Sequence, residues 1–234
     1  MLKNKRLLLI LSCLFVSAEI TLGILIQTTD VGVRYVSYSS ILLACTFCVL
    51  FFERAWGYAF TQLGLFCTVC ADYFLVLTEP RRQLPAMLFF TVTQLAYFAR
   101  LYTSDHDAKR RKCHLFVRIC TSLSAIAATL IVLGDKTDAV ALVSMFYYAN
   151  LLINIVFAFL QPGITRLFAI GLLLFVLCDT LIGLSCLDAY LAIPKDSFLW
   201  TLLHPGFDLA WAFYVPSQTL IALSLLPDRL KKQK

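Results

Sequence analysis

Charge is scarce in this chain. Only 15% of its 234 residues are Asp, Glu, Lys or Arg and 60% are apolar, against about 25% and about 45–50% in an ordinary soluble domain. Histidine is scarcer still: His106, His114 and His204 are the whole complement. Polar linkers and low-complexity tracts are missing. Also missing are a Ser-His-Asp set, a P-loop and an HExxH run. The mean hydropathy of +0.82 leaves more apolar surface than one core conceals, because a chain of this size still exposes much of itself to solvent. That solvent must be largely lipid. These shortages exclude a secreted disulfide module, a nucleic-acid-binding domain and a soluble enzyme. The near absence of His from the apolar runs argues against a metal hydrolase, and no cofactor is expected.

The apolar residues are grouped in runs of the length that crosses a hydrocarbon core about 30 Å thick, about 20 residues each. They occupy 7–26, 35–52, 58–77, 84–102, 115–133, 138–160, 164–187 and 205–226. Breaks such as Glu79-Pro80-Arg81-Arg82 and Gln161-Pro162-Gly163 separate them, and Pro205 suits the first turn of the last run. The first run is longer than a signal-peptide core and lacks a clean cleavage site, so it reads as a span. The expected fold is therefore all-α, a polytopic bundle of eight transmembrane helices forming one integral membrane domain over 1–234.

An even count puts both termini on one side. That side holds Lys3, Lys5, Arg6, Arg54, Lys109, Arg110, Arg111, Lys112, Arg166, Arg229, Lys231, Lys232 and Lys234; the other holds only Arg34, Arg81, Arg82, Lys136 and Lys195. The positive-inside bias then makes both ends cytoplasmic, in a multi-pass protein of the cell membrane. Lys109–Lys112 reads as a basic cytoplasmic loop flanked by Arg100 and Arg118. Nine cysteines, including the pairs Cys45–Cys48 and Cys67–Cys70, lie mostly inside apolar runs. They are expected to pack as small apolar residues rather than hold a metal.

A short duplication runs through the apolar segments. Gly64-Leu65 precedes Asp72 by the same interval at which Gly171-Leu172 precedes Asp179. Phe89-Phe90 before Thr93-Gln94 matches Phe213-Tyr214 before Ser217-Gln218. These are spans three and seven, then four and eight, the pattern of a 4+4 parallel repeat with sites expected between the halves.

An ionisable side chain at the centre of a span costs about 2.5–3.5 kcal/mol on insertion scales, so such groups are expected to face the bundle interior and act there. Glu19, Asp72 and Asp179 all fall roughly 8–12 Å below the outer edge at 1.5 Å per residue, and Asp208 lies at the outer mouth. Two carboxyls at one level suit acid–base chemistry, one giving a proton and the other activating water. Gln94, Gln218, Tyr97, Tyr214, Asn150 and Glu19 are the candidate substrate-orienting groups.

At these residues the chain resembles the YhhN family of membrane proteins, which includes lysoplasmalogenases. The matching stretches are Leu65 to Asp72, Phe90 to Tyr97, Leu174 to Asp179, and Tyr214-Val215-Pro216-Ser217-Gln218 followed by Leu220 to Ser224. The resemblance implies an eight-span fold and hydrolysis of the vinyl ether bond of a lysolipid, releasing a fatty aldehyde and a glycerophospho-base. It carries the proposed catalytic pair onto Asp72 and Asp179, with a lysolipid substrate and bilayer lipids as partners. The chain departs from the family pattern at Gln94, where a His is usual, at Ala71, where a Gly is usual, and at Tyr38-Ser39, where a Lys-Pro is common. The rival expectations are a proton-coupled transporter of a small molecule or lipid, with the acids as relay groups, and a non-catalytic lipid-binding relative.

Overall fold

The computed structural model describes residues 5–30, 32–50, 56–162, 164–186, 200 and 207–226. Regular structure among the described residues is entirely helical. The elements are α1 (Lys5–Thr28), α2 (Val33–Leu50), α3 (Trp56–Asp72), a π-helical segment (Tyr73–Leu77), α4 (Gln83–Ser104), α5 (Ala108–Leu133), a 3-10 turn (Gly134–Lys136), α6 (Ala139–Leu160), α7 (Arg166–Cys186) and α8 (Leu209–Leu223). The helices α1 to α7, with the π segment continuing α3, are long and apolar enough to cross a membrane. The protein is a multi-pass helical membrane protein.

Two boundaries differ from the hydropathy reading. The last helix starts at Leu209 rather than at 205, because Asp208 caps it: its Oδ1 accepts from the Trp211 N–H at 3.1 Å. Its 15 residues rise about 22 Å, less than a full bilayer core. His204 and Pro205 lie outside the described residues. The basic segment Lys109–Lys112 is not a loop but the opening of α5. Asp107 sets this start by accepting from the N–H groups of Lys109 and Arg110 at 2.8 and 3.3 Å, satisfying donors that a helix N-terminus leaves over. Hydropathy does not detect this extension because its residues are charged. At the other end Gly134 takes φ +52°, which a side chain would disfavour, and closes α5 with its N–H on the Leu130 carbonyl.

The neighbour relations repeat. In the first half α1 packs on α2, α2 on α3 and α3 on α4; in the second, α5 packs on α6, α6 on α7 and α7 on α8. The halves join through α4 against α6 and α8 against α2. The result is a ring of six helices, α2-α3-α4-α6-α7-α8, with α1 and α5 laid on its outside. Large apolar side chains such as Phe116 and Ile131 of α5 point outward, 70% and 82% exposed. A lipid surround accommodates that face. Tyr97, Leu101, Phe168, Leu172, Phe175 and Ile221 fill the interior.

Candidate active site

The two tightest helix pairs are built the same way. A Cβ on Gly64 of α3 would fall 2.2 Å from the Tyr97 Cε1 of α4, and one on Gly171 of α7 would fall 2.8 Å from Ile221 Cγ1 and 3.1 Å from the Ser217 carbonyl oxygen of α8. Both glycines are therefore required by close approach. Each glycine carbonyl also accepts a hydroxyl from the facing helix: Thr93 Oγ1 at 3.1 Å on Gly64, and Ser217 Oγ at 2.8 Å on Gly171. Gly64, Thr93, Gly171 and Ser217 belong to the duplicated motifs, so the duplication extends from letters to contacts.

Two turns beyond each glycine stands an aspartate. Asp72 ends α3, where the backbone passes into the π-helical segment and Thr78 N–H reaches the Tyr73 carbonyl at 3.2 Å. Such π segments are frequent at functional positions. Asp72 is 3% exposed and accepts from the Tyr214 hydroxyl of α8 at 2.6 Å. Asp179 of α7 accepts from the Tyr147 hydroxyl of α6 and is only partly buried.

Aromatic rings connect the two acid–phenol pairs. Phe90 of α4 stacks on Tyr147 with centroids 5.5 Å apart, and meets Phe175 of α7 edge-on at 5.9 Å. Phe175 lies 5.5 Å from Tyr214, which Trp211 covers edge-on at 5.3 Å. Phe90 and Tyr214 hold equivalent positions in the duplication. The geometry supplies two carboxyls, one more accessible than the other, each held by a neutral donor against an apolar wall.

The remaining candidates divide. Gln94 and Asn150 join a separate buried network inward of the acids: Asn154 donates to the Gln94 carbonyl and Oε1 at 2.9 and 3.0 Å, and Asn150 donates to Ser122 Oγ at 3.2 Å. Gln218 is fully buried beside Ser217, its Nε2 3.5 Å from that hydroxyl. Tyr97 packs against Gly64 and edge-on to Phe168 at 5.4 Å, away from the acids' hydrogen bonds. Glu19 accepts from Ser40 Oγ at 2.5 Å and ties α1 to α2; none of the described hydrogen bonds joins it to the aspartates. Asp208 is clamped by Gln27 through paired bonds of 2.8 and 2.9 Å.

Three participants were not among the site residues expected from the sequence. Tyr147 is one of several tyrosines in spans, and nothing local distinguishes the one that meets an acid. Tyr73–Leu77 reads as ordinary helix because the π geometry leaves no compositional mark. Arg118 was expected to flank the cytoplasmic loop, yet it is buried between α5 and α6, donating to Asn150 and Asn154. The extra length of α5 carries it inward. All nine cysteines are free, and Cys48, Cys67 and Cys178 are buried.

A ring of spanning helices with an aspartate from α3 and one from α7, each met by a tyrosine of another helix, defines a polytopic membrane protein with an intramembrane acid centre. The family model of the YhhN family matches residues 33–225. The chain belongs to the YhhN family. The match begins at α2, so α1 and Glu19 lie before it. No curated protein and no solved structure matches the chain.

Proposed function

We propose that the protein is a membrane-embedded hydrolase of the lysoplasmalogenase type, cleaving the vinyl ether of a lysolipid with Asp72 and Asp179. The observation carrying this reading is the paired arrangement of two carboxyls, each held by a phenol, on either side of the Phe90–Phe175 contact. Asp72, the more enclosed acid, gives its proton to the β-carbon of the vinyl ether, leaving an oxocarbenium ion. Asp179, the more accessible one, takes a proton from water as the water oxygen bonds to the cationic carbon. The resulting hemiacetal then collapses: its C–O bond to glycerol breaks, the hydroxyl proton is lost, and the glycerol oxygen is protonated. One water is consumed; one aldehyde and one glycerophospho-base leave. The apolar rings exclude bulk water from the cation and so favour its single delivered nucleophile. The charge asymmetry of the flanking segments places both termini in the cytoplasm on this reading.

The test is fatty-aldehyde release from a lysoplasmalogen by purified protein. Wild type is expected to turn over, and Asp72→Asn and Asp179→Asn each to lose about 100-fold or more in kcat, the usual scale for removing a general acid or base. Activity surviving both substitutions refutes the assignment.

A further inference from the structure

Arg118 is 93% withdrawn from solvent, with 7% of its surface exposed, and the groups around it are amides, an imidazole and an aromatic ring. Its Nη1 donates to Asn150 Oδ1, its Nη2 to Asn154 Oδ1 at 2.6 Å, and the same Nη2 lies 3.0 Å from His114 Nε2. The Phe98 ring covers one face of the guanidinium, 4.2 Å from its central carbon. The ion pairs Arg34–Glu79 and Arg110–Asp105 lie elsewhere, and none of the hydrogen bonds of Arg118 goes to a carboxylate. Amide oxygens satisfy N–H groups but do not neutralise a charge, and a buried cation without a counter-ion is costly.

Two donors of this network are also unspent. Arg118 Nε and Gln94 Nε2 are buried and have no acceptor among the described residues. Native structures leave few buried donors unmet, and those that remain point to a missing partner. A cation, two free N–H groups and no acid together describe a cradle for an anion. Hydrogen bonds from a charged N–H to a phosphate oxygen are stronger than those between neutral groups.

Position gives the anion its context. Along α6, Asn150 and Asn154 lie about 4.5 and 10 Å inward of Tyr147, and along α4, Gln94 lies about 6 Å inward of Phe90. Tyr147 and Phe90 border the acid centre. In a lysophospholipid the ether oxygen at the first glycerol carbon is five bonds from phosphorus, roughly 6 Å when extended by ordinary bond lengths. We propose that Arg118, with Gln94, Asn150 and Asn154, forms a site for a phosphate-type anion and binds the headgroup phosphodiester of the lysolipid while its ether lies between Asp72 and Asp179. The headgroup assignment rests on the hydrolase reading; the anion site does not.

The test uses full-length protein in detergent and ligands that cannot turn over: a saturated 1-alkyl lysophosphatidylethanolamine, the corresponding 1-alkylglycerol without phosphate, and inorganic phosphate. Gln94→Glu is the principal variant, because only the unpartnered Nε2 is exchanged for oxygen and the Asn154 bond to Oε1 is retained. It places a carboxylate where the anion would sit. Arg118→Lys keeps the charge and loses the unspent Nε donor. The phospholipid is expected to bind wild type at least 10-fold tighter than the alkylglycerol, and both variants to lose at least 10-fold of that affinity, with their folds verified by monodisperse elution. Competition by inorganic phosphate at lower concentration than the lipid would support the site with free phosphate as its occupant. Equal binding of phospholipid and alkylglycerol, or unchanged affinity in folded Gln94→Glu, overturns the proposal. Arg118-dependent lipid binding without aldehyde release keeps the anion site and ends the hydrolase reading; aldehyde release with KM unchanged in Gln94→Glu does the reverse.

Discussion

The contact between Gly64 and Tyr97 offers a quantitative test of how the acid centre is positioned. Gly64→Ala would set a methyl carbon 2.2 Å from Tyr97 Cε1 and 2.9 Å from Cδ1 and Cζ, where carbon atoms normally rest about 3.5–4.0 Å apart. The ring has no room to yield: Tyr97 is completely buried and butts against Phe168. The helices must separate, at the cost of overpacking, about 1–3 kcal/mol. The better helix propensity of Ala offsets up to about 1 kcal/mol of this. A net loss of about 1–2 kcal/mol lowers Tm by roughly 2–8 °C, at about 2–4 °C per kcal/mol for a chain of this size. Asp72 rides on α3 about 12 Å further along, so aldehyde release should fall with it.

The assay is thermal unfolding of purified protein in one detergent, followed by monodispersity after heating. Gly183→Ala is the internal control, since no heavy atom lies within 4 Å of a Cβ there and only the propensity gain remains. Tyr97→Leu removes the clashing ring atoms, so the double variant should recover part of the loss, a coupling that independent sites would not show. A Gly64→Ala protein that melts with or above wild type, or a Gly183→Ala protein that falls as far, refutes the close-approach argument.

The tyrosines and the junction between α4 and α5 supply further tests. Tyr214→Phe and Tyr147→Phe each delete a hydrogen bond to an aspartate; bonds to charged groups are worth about 1.5–3 kcal/mol, so kcat should drop about 10- to 100-fold and the pH–rate profile should move. Unchanged kcat and profile in both would remove the phenols from the mechanism. Asp105, between α4 and α5, is held below the usual carboxylate range first by the Arg110 side chain, bonded at 2.5 and 2.6 Å, and then by the Asp107 N–H at 2.8 Å. A depressed carboxyl stabilises the fold above its unfolded pKa, about 3.9, and loses that contribution as pH falls through its folded value. The Tm of wild type should therefore decline more steeply than that of Asp105→Asn as the buffer is taken below about pH 5. Parallel declines would show that the Asp105–Arg110 pair does not couple to folding.

Much of this architecture follows from the linear chain. Hydrocarbon demands a continuous apolar run wherever backbone crosses it, so seven helices and the greater part of the eighth appear in hydropathy alone. The same reasoning brings Asp72 and Asp179 to one level, and the glycine two turns before each is visible as a motif. Charged helix ends are different: α5 extends to Ala108 because Asp107 caps it, and hydropathy cannot register a turn made of Lys and Arg.

What only the tertiary structure decided is who meets whom. The joining of the halves by α4 against α6 and α8 against α2 lets Tyr214 of α8 reach Asp72 of α3, while the packing of α6 on α7 within the second half lets Tyr147 reach Asp179. It also carries Gln94 into reach of Asn154, and with it the unpaired guanidinium of Arg118. Hydropathy is a property of each segment against lipid, and every span satisfies it alone. Hydrogen bonds between spans depend on the rotation and order of helices around the ring, which the close contacts at Gly64 and Gly171 fix only once the chain has closed on itself.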